Sequence, residues 1–120
     1  MEAVLQAATQ SLPPKHFIIP YAQTVRAKVL IALGKGEAAE THTRAAVRTR
    51  RDILPEGHWL IASAELTLGK ALLQQGKRTE AKGVLLSAYR VLERERGADY
   101  SKTVEARSLL TGLGVETPSD

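Results

Sequence analysis

The sequence predicts an all-α fold, a right-handed solenoid of about six helices packed as antiparallel pairs. Three observations predict it. Aromatic residues are 4% of a 120-residue chain whose hydrophobic fraction is 43%, so the core is built from Ala, Leu, Ile and Val, which suit closely spaced helices. A Leu-Pro-x-x-His landmark runs from Leu12 to His16 and again from Leu54 to His58, an offset of 42 residues. Repetition at such a period marks an array of stacked units. The same offset lays Ile19 on Ile61, Ala22 on Ala64, Lys28 on Lys70, Leu30 on Leu72 and Gly34-Lys35 on Gly76-Lys77, so the matches fall on turns and on one helical face.

Taken along the chain, residues 1–11 align with the second helix of a unit whose first helix is absent, a half repeat. Complete repeats follow at 12–53 and 54–95. In the first, Pro20 falls within the opening turn of a helix starting near His16 or Phe17, where a missing N–H costs nothing. In the second, Ile61, Ala64, Leu68 and Leu72 form an apolar stripe at helical spacing. Gly76 stops that helix, because glycine tolerates the left-handed backbone a helix end often needs. Ala81, Leu85, Ala88 and Leu92 mark the partner helix. Ala27, Gly69, Ala39, Ala81, Ala46 and Ala88 are the small side chains that let paired helices approach. Residues 101–113 supply a terminal helix acting as a cap, with Lys102, Glu105 and Arg107 on its outer side. Residues 114–120 read as a flexible tail, and the repeat domain as 1–113. The arrangement suggests a piece of a longer array.

Gly69, Leu72, Ala81, Leu85 and Ala88 occupy the spacing of the tetratricopeptide signature, with Ala27, Leu30, Ala39 and Ala46 matching it less completely. The chain thus resembles the tetratricopeptide repeat family, and its 42-residue unit with the Leu-Pro-x-x-His junction is similar to the longer, kinesin-light-chain type. Gly57-His58-Trp59 to Arg90 also resembles C-terminal repeats of bacterial multidomain serine/threonine kinases and related regulators. Glu65 and Gln23 stand where the family often has Trp, Arg26 where it has Leu, and Thr43 where a large apolar residue is usual.

The resemblance implies partner binding on a concave side lined by the first helix of each unit. Carried onto matching positions, that groove presents Tyr21, Thr24, Lys28 and Ile31, then Ser63, Leu66, Lys70, Leu73 and Gln74, then Glu105 and Ser108. Lys28 and Lys70 recur at one position, so their ammonium groups stack along a groove edged by Ile31, Leu66 and Leu73. Such a surface suits an acidic, partly hydrophobic peptide. The chain has no Asn, so the Asn-rich carboxylate clamp of chaperone-binding relatives is absent.

The remaining features argue against chemistry. With no Cys, disulfides and thiolate sites are excluded. His16 and His58, one period apart, lie too far from each other to share a metal, and read as residues closing the start of each first helix. Phe17 and Trp59 read as wedges between repeats. No phosphate loop, dinucleotide fingerprint, nucleophile elbow or zinc helix occurs, so catalytic, cofactor and metal residues are all set at none, and the chain is expected to be non-enzymatic. Glu37 and Glu40 are explained by the positive end of a helix dipole. The net charge of +4 is modest. Its densest part is Arg44, Arg48, Arg50 and Arg51, of which spacings of four and three put Arg44, Arg48 and Arg51 on one face; the aromatic interleaving of a stacking platform is missing, so a solvated outer face is preferred to nucleic-acid binding. No apolar run approaches the roughly 18 residues of a membrane span, and a cytoplasmic location is expected. The favoured function is a protein-interaction scaffold holding a partner peptide or helix. The alternative is a regulatory or oligomerisation segment of a larger bacterial kinase or transcription regulator, dimerising through its exposed N-terminal repeat face.

Overall fold

The computed structural model describes residues 18–117. The expectations for the half repeat at 1–11, for His16 and Phe17, and for the last three residues lie outside this range. Within it the chain is all-α, with no strand among the described residues. The helices are α1 (Ile18–Ala32), α2 (Gly36–Ile53), α3 (Trp59–Gln74), α4 (Arg78–Arg96) and α5 (Ser101–Gly112). Each helix packs on the next, and α3 also touches both α1 and α5. The odd-numbered helices therefore share one side of the molecule, with α2 and α4 on the other.

The period in the sequence reappears in how α1, α3 and α5 end. Lys35 N–H donates to Leu30 O at 2.8 Å, Lys77 N–H to Leu72 O at 3.0 Å, and Val115 N–H to Leu110 O at 2.9 Å. Each closure wraps a glycine in the left-handed region, Gly34 at φ 77°, Gly76 at φ 78° and Gly114 at φ 80°, the geometry that satisfies a helix's last carbonyls. The first two closures are a full period apart. The third comes early because α5 has 12 residues against 16 for α3, a shortfall of one turn that preserves the apolar phase. The chain stays packed just past this stop: Val115 lies against the main core, so the tail begins later than residue 114.

Small side chains set the helix separations. Ala27, Ala39 and Ala71 form a fully buried contact joining α1, α2 and α3. The main core joins α3, α4 and α5 through Leu66, Leu72, Ala81, Leu85, Ala88, Leu92 and Leu110. Gly69 is the tightest point, since a Cβ there would stand 2.4 Å from Leu85 Cδ2 and 2.6 Å from Leu85 Cγ. Leu85 is itself fully buried, so it has nowhere to retreat. Gly36 opens α2 in a similar squeeze, where a Cβ would lie 3.0 Å from the Ala71 carbonyl oxygen. Thr43 fits a site expected to be apolar by folding its hydroxyl back onto its own helix, donating to Ala39 O at 2.9 Å.

Glu40 does more than complement a helix dipole. It accepts from Gln75 Nε2 at 2.8 Å, Arg44 Nε at 2.7 Å and Lys77 Nζ at 3.0 Å, tying α2 to the turn between α3 and α4. The hydrogen bonds from Gln75 and Arg44, with Lys77 adding to them, hold its carboxyl down to about 2 against the opposing effect of burial. Arg44 also pairs with Glu80 of α4.

Two glycines within helices should respond to alanine with opposite sign. Gly69→Ala gains up to about 1 kcal/mol of helix propensity but forces a methyl into Leu85, an overpacking cost of about 1–3 kcal/mol. A net lowering of the urea midpoint is expected. Gly83→Ala meets nothing within 4 Å and should raise the midpoint, the unfolding free energy gaining up to about 1 kcal/mol.

Candidate functional site

The positions expected to form a groove fall on α1, α3 and α5, but they do not all present themselves to solvent. Leu66 is 2% exposed and belongs to the main core, so it positions the face without offering a contact. Thr24 is buried too, donating its hydroxyl to Pro20 O at 2.8 Å. Ser63 is buried, and Leu73 and Ile31 are half-buried against core clusters. Gln74 is spent on structure, its Nε2 donating to Ile31 O at 2.7 Å and so tying the end of α3 to that of α1. Tyr21, Lys28 and Ser108 are exposed.

Two polar rungs link α3 to α5. Lys70 Nζ pairs with Glu105 at 2.8 Å. Lys102 Nζ donates to Ser63 Oγ at 2.6 Å. The second corrects the expectation that Lys102 and Glu105 lie on the outer side of the terminal helix, because both turn toward α3. The physical reason is in the helix phase: Thr103, Ala106 and Leu110 are buried and fix which way α5 rolls, and residues one step from that stripe point at its neighbour.

The charge around these rungs is one-sided. Arg50, near the end of α2, is 5% exposed, and its Nη1 donates to Leu60 O at 2.7 Å, a carbonyl rather than a carboxylate. Burial pushes its pKa down. Lys28 has neither hydrogen bond nor ion pair among the described residues. The Lys102 ammonium is held below the ordinary lysine value by burial first, then by Lys28 and Arg50, with Lys70 adding to them and Glu105 opposing. Lys28, Arg50 and Lys70 are thus the cations, and Glu105 the carboxylate, whose charge is felt at Lys102, and that carboxylate is engaged by Lys70. Sequence inspection found Lys28 and Lys70 through their repetition. It missed Arg50, which was grouped with a solvated outer face, and Lys102, which has no counterpart one period earlier.

The outer arginines behave differently. Arg44 pairs with Glu40 and Glu80, and Arg51 with Glu65 at 3.1 Å, so two of the three basic residues of that face are neutralised. Glu65 is mostly buried, and burial raises its pKa against the pull of Arg51. It borders a hollow of about 600 Å³ floored by Ile61, Ala62 and Val91, with His58 at its rim. His58 is the N-cap of α3, its Nδ1 accepting from Leu60 N–H at 3.0 Å, the closing role expected of it. Tyr100 stands at the N-cap of α5. Trp59 is packed edge-on to Tyr100 with centroids 6.1 Å apart, and the Arg96 guanidinium lies 4.4 Å from the indole centroid. No helix among the described residues is long and apolar enough to cross a membrane. No protein-family model matches the chain, and no curated protein matches it.

The like-charge crowding at Lys102 has a signed consequence. Its folded pKa lies below the unfolded value of 10.5, so the unfolded chain holds that proton more tightly. Stability should therefore rise, relative to Lys102→Met, as the pH climbs from about 8 toward 10.5. Parallel denaturation curves of the two proteins across that range check it, and a constant difference would dissolve the cluster.

Proposed function

We propose that this chain is a non-enzymatic protein-interaction module, a tetratricopeptide-like array of helix pairs whose α1, α3 and α5 side holds an acidic segment of a partner protein. One observation supports it above the others: Lys28, Arg50 and Lys102 bear on that side and have no carboxylate as hydrogen-bond or ion-pair partner among the described residues. Uncompensated charge at close quarters costs stability, and an anionic partner removes that cost while being steered toward the face. The half-buried Ile31 and Leu73 give an amphipathic segment apolar surface to cover. The repeat spacing supports the family reading, and the common ends of α1, α3 and α5 agree with a periodic array.

A second reading, self-association, is favoured by a separate feature. Tyr21, Val29 and Leu33 are 60%, 52% and 63% exposed, and they sit at multiples of four along α1 and the turn that directly follows it. Exposed apolar side chains of this kind fit a second copy of the chain, as a regulatory or oligomerisation segment would require.

A fluorescent peptide of alternating Glu and Leu should bind with an affinity that falls steeply with added salt, and by at least about tenfold in a Lys28→Glu, Lys102→Glu double variant. Unchanged affinity in that variant excludes the face. Sedimentation of wild type beside Val29→Glu, Leu33→Glu separates the readings: a dimer that this variant breaks, with no peptide binding, favours self-association.

A further inference from the structure

The cations on the α1, α3 and α5 side form a more specific constellation than a basic patch. Lys102 Nζ is anchored on Ser63 Oγ at 2.6 Å. Ser63 is buried and accepts that bond, which leaves its own hydroxyl proton to donate. Arg50 is 5% exposed and uses one N–H on Leu60 O at 2.7 Å, so its planar fork is fixed in direction while other donors remain. Lys28 is unpaired. These groups come from four helices, all of them are donors, and the nearby Glu105 is occupied by Lys70 at 2.8 Å.

We propose that this cluster seats the phosphate dianion of a phosphorylated serine or threonine on a partner protein, which rests on that face being a partner-binding surface. The charge count decides between anions. A carboxylate brings one negative charge and two oxygens, and would leave most of the excess positive charge of Lys28, Arg50 and Lys102 uncompensated. A phosphomonoester brings a charge of nearly −2 at pH 7 and three strong acceptor oxygens, matching two ammonium groups, one guanidinium fork and the Ser63 hydroxyl. Charge-assisted bonds of this kind, with Arg as a fork and Lys as a point charge, are the recurrent means of holding phosphate. A nucleic-acid strand would need aromatic rings between the cations for its bases, and α3 offers Ser63 and Lys70 along this side instead.

The experiment uses three short blocked peptides that differ only at a central residue: phosphoserine, Glu or Ser, flanked by Ala. Titration into the 15N-labelled chain is followed by NMR. The phosphoserine peptide is expected to bind at least tenfold more tightly than the Glu peptide and to shift the amides around Ser63, Arg50 and Lys102. Its affinity should drop at least fivefold in Lys28→Gln, an exposed position whose substitution does not disturb folding, and in Arg50→Gln. It should also weaken from pH 7.5 to pH 5.5, where the phosphate becomes a monoanion. Equal binding of the phosphoserine and Glu peptides overturns the phosphate assignment and leaves the acidic-partner reading intact. Shifts confined to Arg44 and Arg48 overturn it as well. So does displacement of the phosphopeptide by a short single-stranded RNA at lower concentration than the unlabelled phosphopeptide itself. Failure of the Glu-Leu peptide to bind removes the underlying reading along with it.

Discussion

Everything in this chain depends on how closely α3 and α4 approach. Gly69 has no side chain because Leu85 occupies the volume, with Cδ2 only 2.4 Å from where a Cβ would be. That contact fixes the pair, and the alanines Ala81 and Ala88 extend it along α4 with no exposed surface. Close-packed interiors do not deform continuously, so the separation of this pair sets where α5 can rest and which residues of α3 face outward. The functional side inherits its geometry from there: Leu66 belongs to the core, and Ser63 and Lys70, three and four residues either side of it, meet α5.

Polar contacts then decide which arrangement of the helices is favoured. Glu40 ties α2 to the turn between α3 and α4, and Gln74 ties α3 back to the end of α1. On the opposite side, Arg44 and Arg51 are matched by Glu40, Glu80 and Glu65. Arg44 and Arg51 are thus paired with carboxylates, while Lys28, Arg50 and Lys102 have no carboxylate partner among the described residues.

How much of this was legible in the sequence follows from physics that repeats. The helix stops at Gly34 and Gly76, the stripe through Ala64, Leu68 and Leu72, and the small residues at Ala27, Gly69, Ala81 and Ala88 were readable because each recurs at a fixed offset. His58 as the residue closing the start of α3 was readable for the same reason. Lys102 and Arg50 were not. Lys102 falls where Leu60 stands one period earlier, so the repeat offers no lysine from which its role could be read. Arg50 stands among Arg44, Arg48 and Arg51 on α2 and looks like one more solvated charge, and only the packing of α2 against the start of α3 buries it. Glu40 was assigned to a helix dipole because two of its partners, Gln75 and Lys77, are remote in sequence.

The aromatic corner at the far end has an optical consequence. Trp59 is the chain's single tryptophan. It begins α3, stacks near His58 with ring centroids 6.0 Å apart, meets Tyr100 edge-on, and lies under the Arg96 guanidinium that also covers Tyr100. The indole's surroundings are therefore supplied by the cap of α3, the last residue of α4 and the cap of α5. Its emission is a local gauge of whether the last helix is seated, silent about the α1–α2 pair, and a chain that frays from that end will change colour before it loses most of its helical signal.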